Sequence, residues 1–201
     1  RMYGSGGSAV AARVAEALHW DLLDNNLVDA VAERLGTSRR EVAARQERVP
    51  SLVQRLVDGM ALGTPEVPGP IVDSTLPPSD ERLIEVTRRV VAEAVARGPL
   101  VVVGRGAQAM LAERADAIHI FCYAPISALV ARAAERHKIS QAEAEKLVHD
   151  TNRDRAHYVK KHWNRDWAEY ANYHACLNTD WLGLDGAAAI VAELARARFK
   201  M

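Results

Sequence analysis

The sequence predicts an α/β fold in which helices flank a parallel sheet. Two observations carry this. Residues 100–103 form a continuous apolar run, the pattern of a strand buried on both faces, and 118–123 read as a second buried strand. Around them lie amphipathic stretches of helical period, so strands alternate with crossover helices. A third observation says what such a sheet serves. Gly4, Gly6 and Gly7 crowd into YGSGGS just before a helical run, where glycine lets backbone approach a ligand closely.

The glycine run comes first. Ser8 reads as the cap of a helix whose Val10, Val14 and Leu18 share a face. A helix N-terminus offers free N–H groups and partial positive charge, which suit a phosphate. Tyr3, Gly4, Ser5, Gly6, Gly7 and Ser8 are therefore the candidate phosphate-binding residues. Set against the phosphate-loop pattern G-x-x-x-x-G-K-[ST], Gly6 takes the last glycine and Ser8 the hydroxyl that holds magnesium. Arg1 stands at the first glycine and Gly7 at the lysine. A glycine-rich turn before a capped helix reads the same from this stretch alone. A phosphate loop follows a strand, so a strand ahead of Arg1 is expected.

Residues 20–24 suit a brief strand. Asn25 or Asn26 caps a helix over 27–35, and Gly36 ends it. Thr37 or Ser38 opens a charged, alanine-rich helix, and 51–62 carries another helical stripe. Residues 63–79 hold Pro65, Pro68, Pro70, Pro77 and Pro78 and read as a long mobile loop. An amphipathic helix fills 80–97 and stops at Gly98-Pro99. The 100–103 strand ends in Gly104-Arg105-Gly106, followed by a helical turn at 107–111. After the 118–123 strand comes a helix over 126–137 bearing Arg132. Ser140 and Glu143 form a capping box on a helix that runs as far as Trp163. Residues 174–179 make a last strand, and Asp185 caps a final helix to Phe199. The glycine loop, Arg105 and the segment after Tyr123 thus fall on one crevice, at the strands' C-terminal ends.

The 201 residues suit one domain; net charge is zero, which points to no nucleic-acid or membrane partner. No apolar run reaches membrane-spanning length. Cys122 and Cys176 sit in apolar stretches and are expected as buried free thiols in a reducing, cytoplasmic compartment. His149, His157 and His162 lack the i,i+4 spacing of a zinc pair. Trp163, Trp167, Trp181, Tyr170 and Tyr173 are expected to pack rather than to stack on a base.

Phosphoryl transfer asks for positive groups around the phosphates, magnesium and exclusion of water. Arg132, Arg136, Arg153, Arg155, Lys160 and Lys161 give the 132–165 stretch a local positive excess. Each alone also suits a solvated helix face; the clustering of Arg153 and Arg155 near Lys160 and Lys161 points to a phosphate-facing lid. Three stretches, YGSGGS, VVVGRGA at 101–107 and the tail from ISQAEAEKLVHDTNRDRAHYVKKHWNRDW to YHACLNTDWLGLDGAA, resemble the cytidylate kinase-like family, relatives of the nucleoside monophosphate kinases.

That resemblance covers nearly the whole chain. It implies a P-loop NTPase-type three-layer sandwich with a parallel sheet, as a single kinase-like domain over 1–201. It implies a helical acceptor-binding insert at about 25–80, with its mobile loop at 63–79, and a helical lid at about 138–168. It implies ATP and Mg2+ as cofactors and small-molecule nucleotides as partners, CMP or dCMP being the first acceptor. Ser5, Gly6, Gly7 and Ser8 would cradle the donor phosphates, with Ser8 on magnesium. Arg105 would bind the acceptor phosphate and Arg132 would sit near the lid's base. Arg155 would be the lid arginine, with Arg153 in reserve. Two positions depart from the family's pattern. Gly7 replaces the lysine that bridges the β- and γ-phosphates, and Arg1 and Arg132 are the candidates to supply its charge. Asn152 stands three before Arg155, at the place of an acid. Two alternatives stay open: a nucleotide-binding regulatory or scaffold module without transfer chemistry, and a kinase with another small acceptor.

Overall fold

The computed structural model describes residues 1–36, 38, 40, 42 and 80–201. The expectations for 43–79, including the helix at 51–62 and the proline-rich loop, lie outside the described residues. In chain order the elements are α1 (Gly7–Leu18), β1 (Asp21–Leu23), α2 (Asn25–Leu35), α3 (Asp80–Arg97), β2 (Leu100–Val102) and α4 (Ala107–Met110). Then come β3 (Ile120–Tyr123), α5 (Ile126–His137), α6 (Gln141–Trp163), a 3-10 turn (Tyr170–Asn172), β4 (Ala175–Asn178) and α7 (Gly183–Phe199).

The strands are parallel, as their apolar runs predict. Among the described residues they form two pairs. β1 lies beside β2 with Asp21 opposite Leu100. β3 lies beside β4 with Ile120 opposite Ala175. Between the pairs runs a cavity of about 670 Å³. Residues 100–103 of β2 and its exit line one side, and Ile118, His119, Ile120 and Cys122 the other.

Three helix pairs bury the core. Val10, Val14 and Leu18 of α1 meet Ala187, Ala188, Ala192 and Ala195 of α7, where alanines let the two helices approach closely. Leu27 and Val31 of α2 meet Leu83, Val90 and Val91 of α3. Leu129, Val130 and Ala133 of α5 meet Ala144 and Val148 of α6. Each fully buried leucine contributes roughly 1.5–3 kcal/mol.

Helix starts differ from the sequence expectation in a consistent way. Gly6, not Ser8, caps α1: its φ of 73° turns the chain early, and its carbonyl accepts from Ala9 N at 2.9 Å and Val10 N at 3.0 Å. Asp24, not Asn25 or Asn26, precedes α2. The last helix begins at Gly183 because Asn178 Oδ1 gathers Asp180 N at 3.0 Å and Trp181 N at 3.3 Å, turning the chain before Asp185. Asp185 pairs with Arg13 instead, at 2.6 Å. The Ser140–Glu143 capping box is present as expected.

Cys122 is buried but Cys176 is exposed, because alternate residues of a strand face opposite ways. Trp167 and Tyr173 pack on Phe121, with ring centroids 5.3 and 4.9 Å away. Tyr170 and Trp181, expected to pack, are 76% and 83% exposed. No helix among the described residues is long and apolar enough to cross a membrane.

Candidate functional site

The glycine loop is pinned from three sides. Gly4 has φ 80°, and a Cβ there would lie 2.7 Å from the Leu129 carbonyl oxygen on α5. A Cβ on Gly6 would lie 2.5 Å from Leu184 Cδ2 on α7. Ser5 is fully buried, and its hydroxyl donates to Met2 O at 2.8 Å. Its side chain is thus committed to the protein, and Ser5 can meet a ligand only through its backbone. Thr179, just beyond β4, donates from Oγ1 to Ser5 O at 2.7 Å. With the loop held this way, the first turn of α1 starts at a buried Gly7, and its leading N–H groups have no helix carbonyl one turn back.

Arg1 crosses this loop. Its Nη2 donates to Ser8 Oγ at 3.3 Å and lies 4.0 Å from Asp24 Oδ1. Its aliphatic stem covers Gly7, and its Nη1 reaches Gly104. The Gly104-Arg105-Gly106 turn carries three successive left-handed residues, with φ 75°, 56° and 72°. A side chain on Gly106 would overlap the Trp163 ring, so the end of α6 closes on this turn. Tyr158, on the last turns of α6, has its phenol pushed up to about 12 by burial, with the Arg105 charge opposing the shift.

Arg1, Gly7, Arg105 and Arg155 line one cavity, so the structure brings together these predicted residues. It does not bring Arg132 there. Arg132 donates from Nη1 to Thr179 Oγ1 at 3.3 Å and from Nη2 to Asp180 Oδ1 at 3.1 Å, bracing the loop after β4. Arg153 turns outward, paired with Asp150 at 2.9 Å. Tyr3 serves as an anchor: its hydroxyl lies 2.6 Å from His137 Nε2, and its N–H donates to Asn152 Oδ1 at 2.7 Å. Burial, followed by the charge of Arg136, holds the His137 imidazole below its usual range. Sequence reasoning missed Asp24 and Thr179. Their one signal was position, each lying just beyond a strand's C-terminal end.

The model of the cytidylate kinase-like family matches residues 1–181. The chain belongs to the cytidylate kinase-like family. Its fold is accordingly kinase-like and nucleotide-binding. Among solved structures, an uncharacterized protein from Eubacterium ventriosum ATCC 27560 has a TM-score of 0.66 at 16% identity. That match covers 98% of this chain and 95% of the other. At such identity it shows a shared fold and nothing finer. Comparison with curated proteins gives no match. In this cytidylate kinase-like chain, Ser8 Oγ and Asp24 Oδ1 flank the same Arg1 nitrogen at 3.3 and 4.0 Å. A hydroxyl and a carboxylate are hard oxygen donors of the kind Mg2+ takes alongside nucleotide phosphates, but here the Arg1 guanidinium stands between them.

Proposed function

We propose that the chain is a phosphotransferase that moves the γ-phosphoryl group of ATP to CMP, dCMP or a related small acceptor. The observation that carries this is the convergence of three arginines on the glycine loop: Arg1 lies across Gly7 and reaches Gly104, Arg155 Nη1 donates to Arg1 O at 3.1 Å, and Arg105 lines the same cavity. The loop backbone from Gly4 to Ser8 holds the donor phosphates. Arg105, on the facing turn, holds the acceptor's phosphate. An oxygen of that phosphate attacks the γ-phosphorus in line. The bond to the bridging oxygen breaks, and ADP leaves with that electron pair. Ser8 and Asp24 are the oxygen donors that would hold Mg2+ once the Arg1 guanidinium leaves them for the phosphates, and the ion would supply charge neutralisation. Arg155 adds positive charge from α6, and Arg132 acts by holding Thr179 and Asp180 in place.

In the same reading, 25–80 is the acceptor-binding insert and 138–168 the lid. The fold that goes with this reading is a three-layer sandwich, and Met2 N donates to Cys122 O at 2.9 Å beside β3. A reducing, cytoplasmic setting goes with Cys122 and Cys176 as free thiols.

ADP release from Mg-ATP tests this reading, measured with CMP, dCMP, UMP, AMP and GMP against a control without acceptor. Release that depends on one acceptor supports it. A second reading, a nucleotide-binding module without turnover, is favoured by the engagement of Arg132 and Arg155 with protein oxygens. That module would bind Mg-ATP and release no ADP with any acceptor.

A further inference from the structure

Gly7 poses a specific question. It opens α1 and is not in the left-handed region, so its backbone does not require glycine. What excludes a side chain is Arg1. A Cβ on Gly7 would lie 2.8 Å from Arg1 Cδ and 2.9 Å from Arg1 Cβ. The far end of the same side chain lies over Gly104, where a Cβ would be 2.8 Å from Nη1. The arginine therefore occupies the volume that a residue at position 7 would use to leave the loop.

We propose that Arg1 supplies, from the first position of the glycine loop, the cation that a lysine at position 7 would supply. This rests on the kinase reading above. The guanidinium is held for such a task. Its backbone is fixed on both sides, by Arg155 Nη1 donating to Arg1 O at 3.1 Å and by Met2 N donating to Cys122 O at 2.9 Å. Its head lies between Ser8 Oγ and Asp24 Oδ1, and the side chain is 18% exposed. A partly desolvated cation against phosphate-binding N–H groups interacts with a β,γ-phosphate far more strongly than one in water. The planar fork offers two parallel donors to phosphate oxygens, which a lysine ammonium does not. Gly7 is thus the partner of Arg1: the missing side chain leaves room for the arginine to lie across the loop.

The test uses Arg1→Met, Gly7→Lys and the Arg1→Met/Gly7→Lys pair, read by Mg-ATP calorimetry and acceptor-dependent ADP release. Arg1→Met is expected to lower kcat on the order of 100-fold. Gly7→Lys alone is expected to lose activity, because lysine and arginine compete for one space. The double variant is expected to recover at least roughly tenfold over Arg1→Met, since the lysine then has both room and purpose. Unmodified protein gives a readout independent of variant folding: the Arg1 Nε–H resonance shifts when Mg-ATP is added. Wild-type kcat and ATP affinity in Arg1→Met, no recovery in the double variant, or an unmoved resonance would each overturn the assignment alone. Wild-type protein that binds no Mg-ATP would overturn the kinase reading, and this assignment with it.

Discussion

Asn152 accepts a hydrogen bond from the backbone N–H of Tyr3 at 2.7 Å, joining residues 149 positions apart. The bond ties the middle of α6 to the entrance of the glycine loop. Arg155, nearly one turn further along α6, bonds Arg1 O and lies 5.6 Å over the Tyr3 ring. The sequence put Asn152 where an acid was expected, and its carboxamide has a structural task there. It offers the loop an acceptor without placing a negative charge beside the glycine run.

Removing that acceptor strands a part-buried N–H. Asn152→Ala is expected to cost about 1–2 kcal/mol, lowering Tm by roughly 2–8 °C, and to weaken Mg-ATP binding. Asn152→Asp keeps an acceptor and should melt within about 0.5 kcal/mol of the wild type. Thermal melts of both variants check this. Equal losses in both would mean that the contact, not the acceptor, is what matters.

Arg105 sits at φ 56° between two left-handed glycines. A residue with a Cβ is strained there by about 1–2 kcal/mol, and glycine is not. Arg105→Gly should therefore be more stable than Arg105→Ala by about 1 kcal/mol, while both lose acceptor-dependent turnover. Denaturant melts alongside ADP release separate the two effects. An alanine variant with normal turnover would remove Arg105 from acceptor binding.

Acid sensitivity follows from the histidines. Burial first, and the stacked His174 ring second, hold the His119 imidazole below its usual value, against a backbone hydrogen bond to Leu111. The unfolded chain then binds this proton at a higher pH than the folded one does. Stability from neutral His119 is fully present above about 6.5 and is lost as pH falls through that value towards the folded pKa. His137 and His162 shift the same way, so their contributions add. Tm should fall between about pH 7 and pH 5, and His119→Phe should flatten the slope by up to one proton. An unchanged slope in that variant would place the titration elsewhere.

The strands were legible because 100–103 is an unbroken apolar run and 118–123 is interrupted only by His119, although among the described residues they fall into two pairs and β2 is only half-buried. The capping box at Ser140 was legible because both of its partners lie within one turn. The N-cap at Gly6 was not, since Ser8 is the better capping residue by type and only the φ of Gly6 reveals the earlier turn. In the site, Arg105 and Arg155 could be named from their motifs. That Arg132 braces Asp180 depends on a contact across the fold, and that Arg1 covers Gly7 depends on how the loop folds back on itself, which the residue types alone do not encode. The exposure of Trp181 escaped for the same reason: a large aromatic side chain predicts burial until the turn at Asn178 directs it outward.

The most direct measurement follows a radiolabelled γ-phosphate from Mg-ATP into an acceptor. The account predicts a labelled nucleoside diphosphate from CMP or dCMP, and none when Arg105 is replaced by alanine. Mg-ATP that binds, with label that stays on ATP for every acceptor offered, would contradict the assignment of phosphoryl transfer to this site.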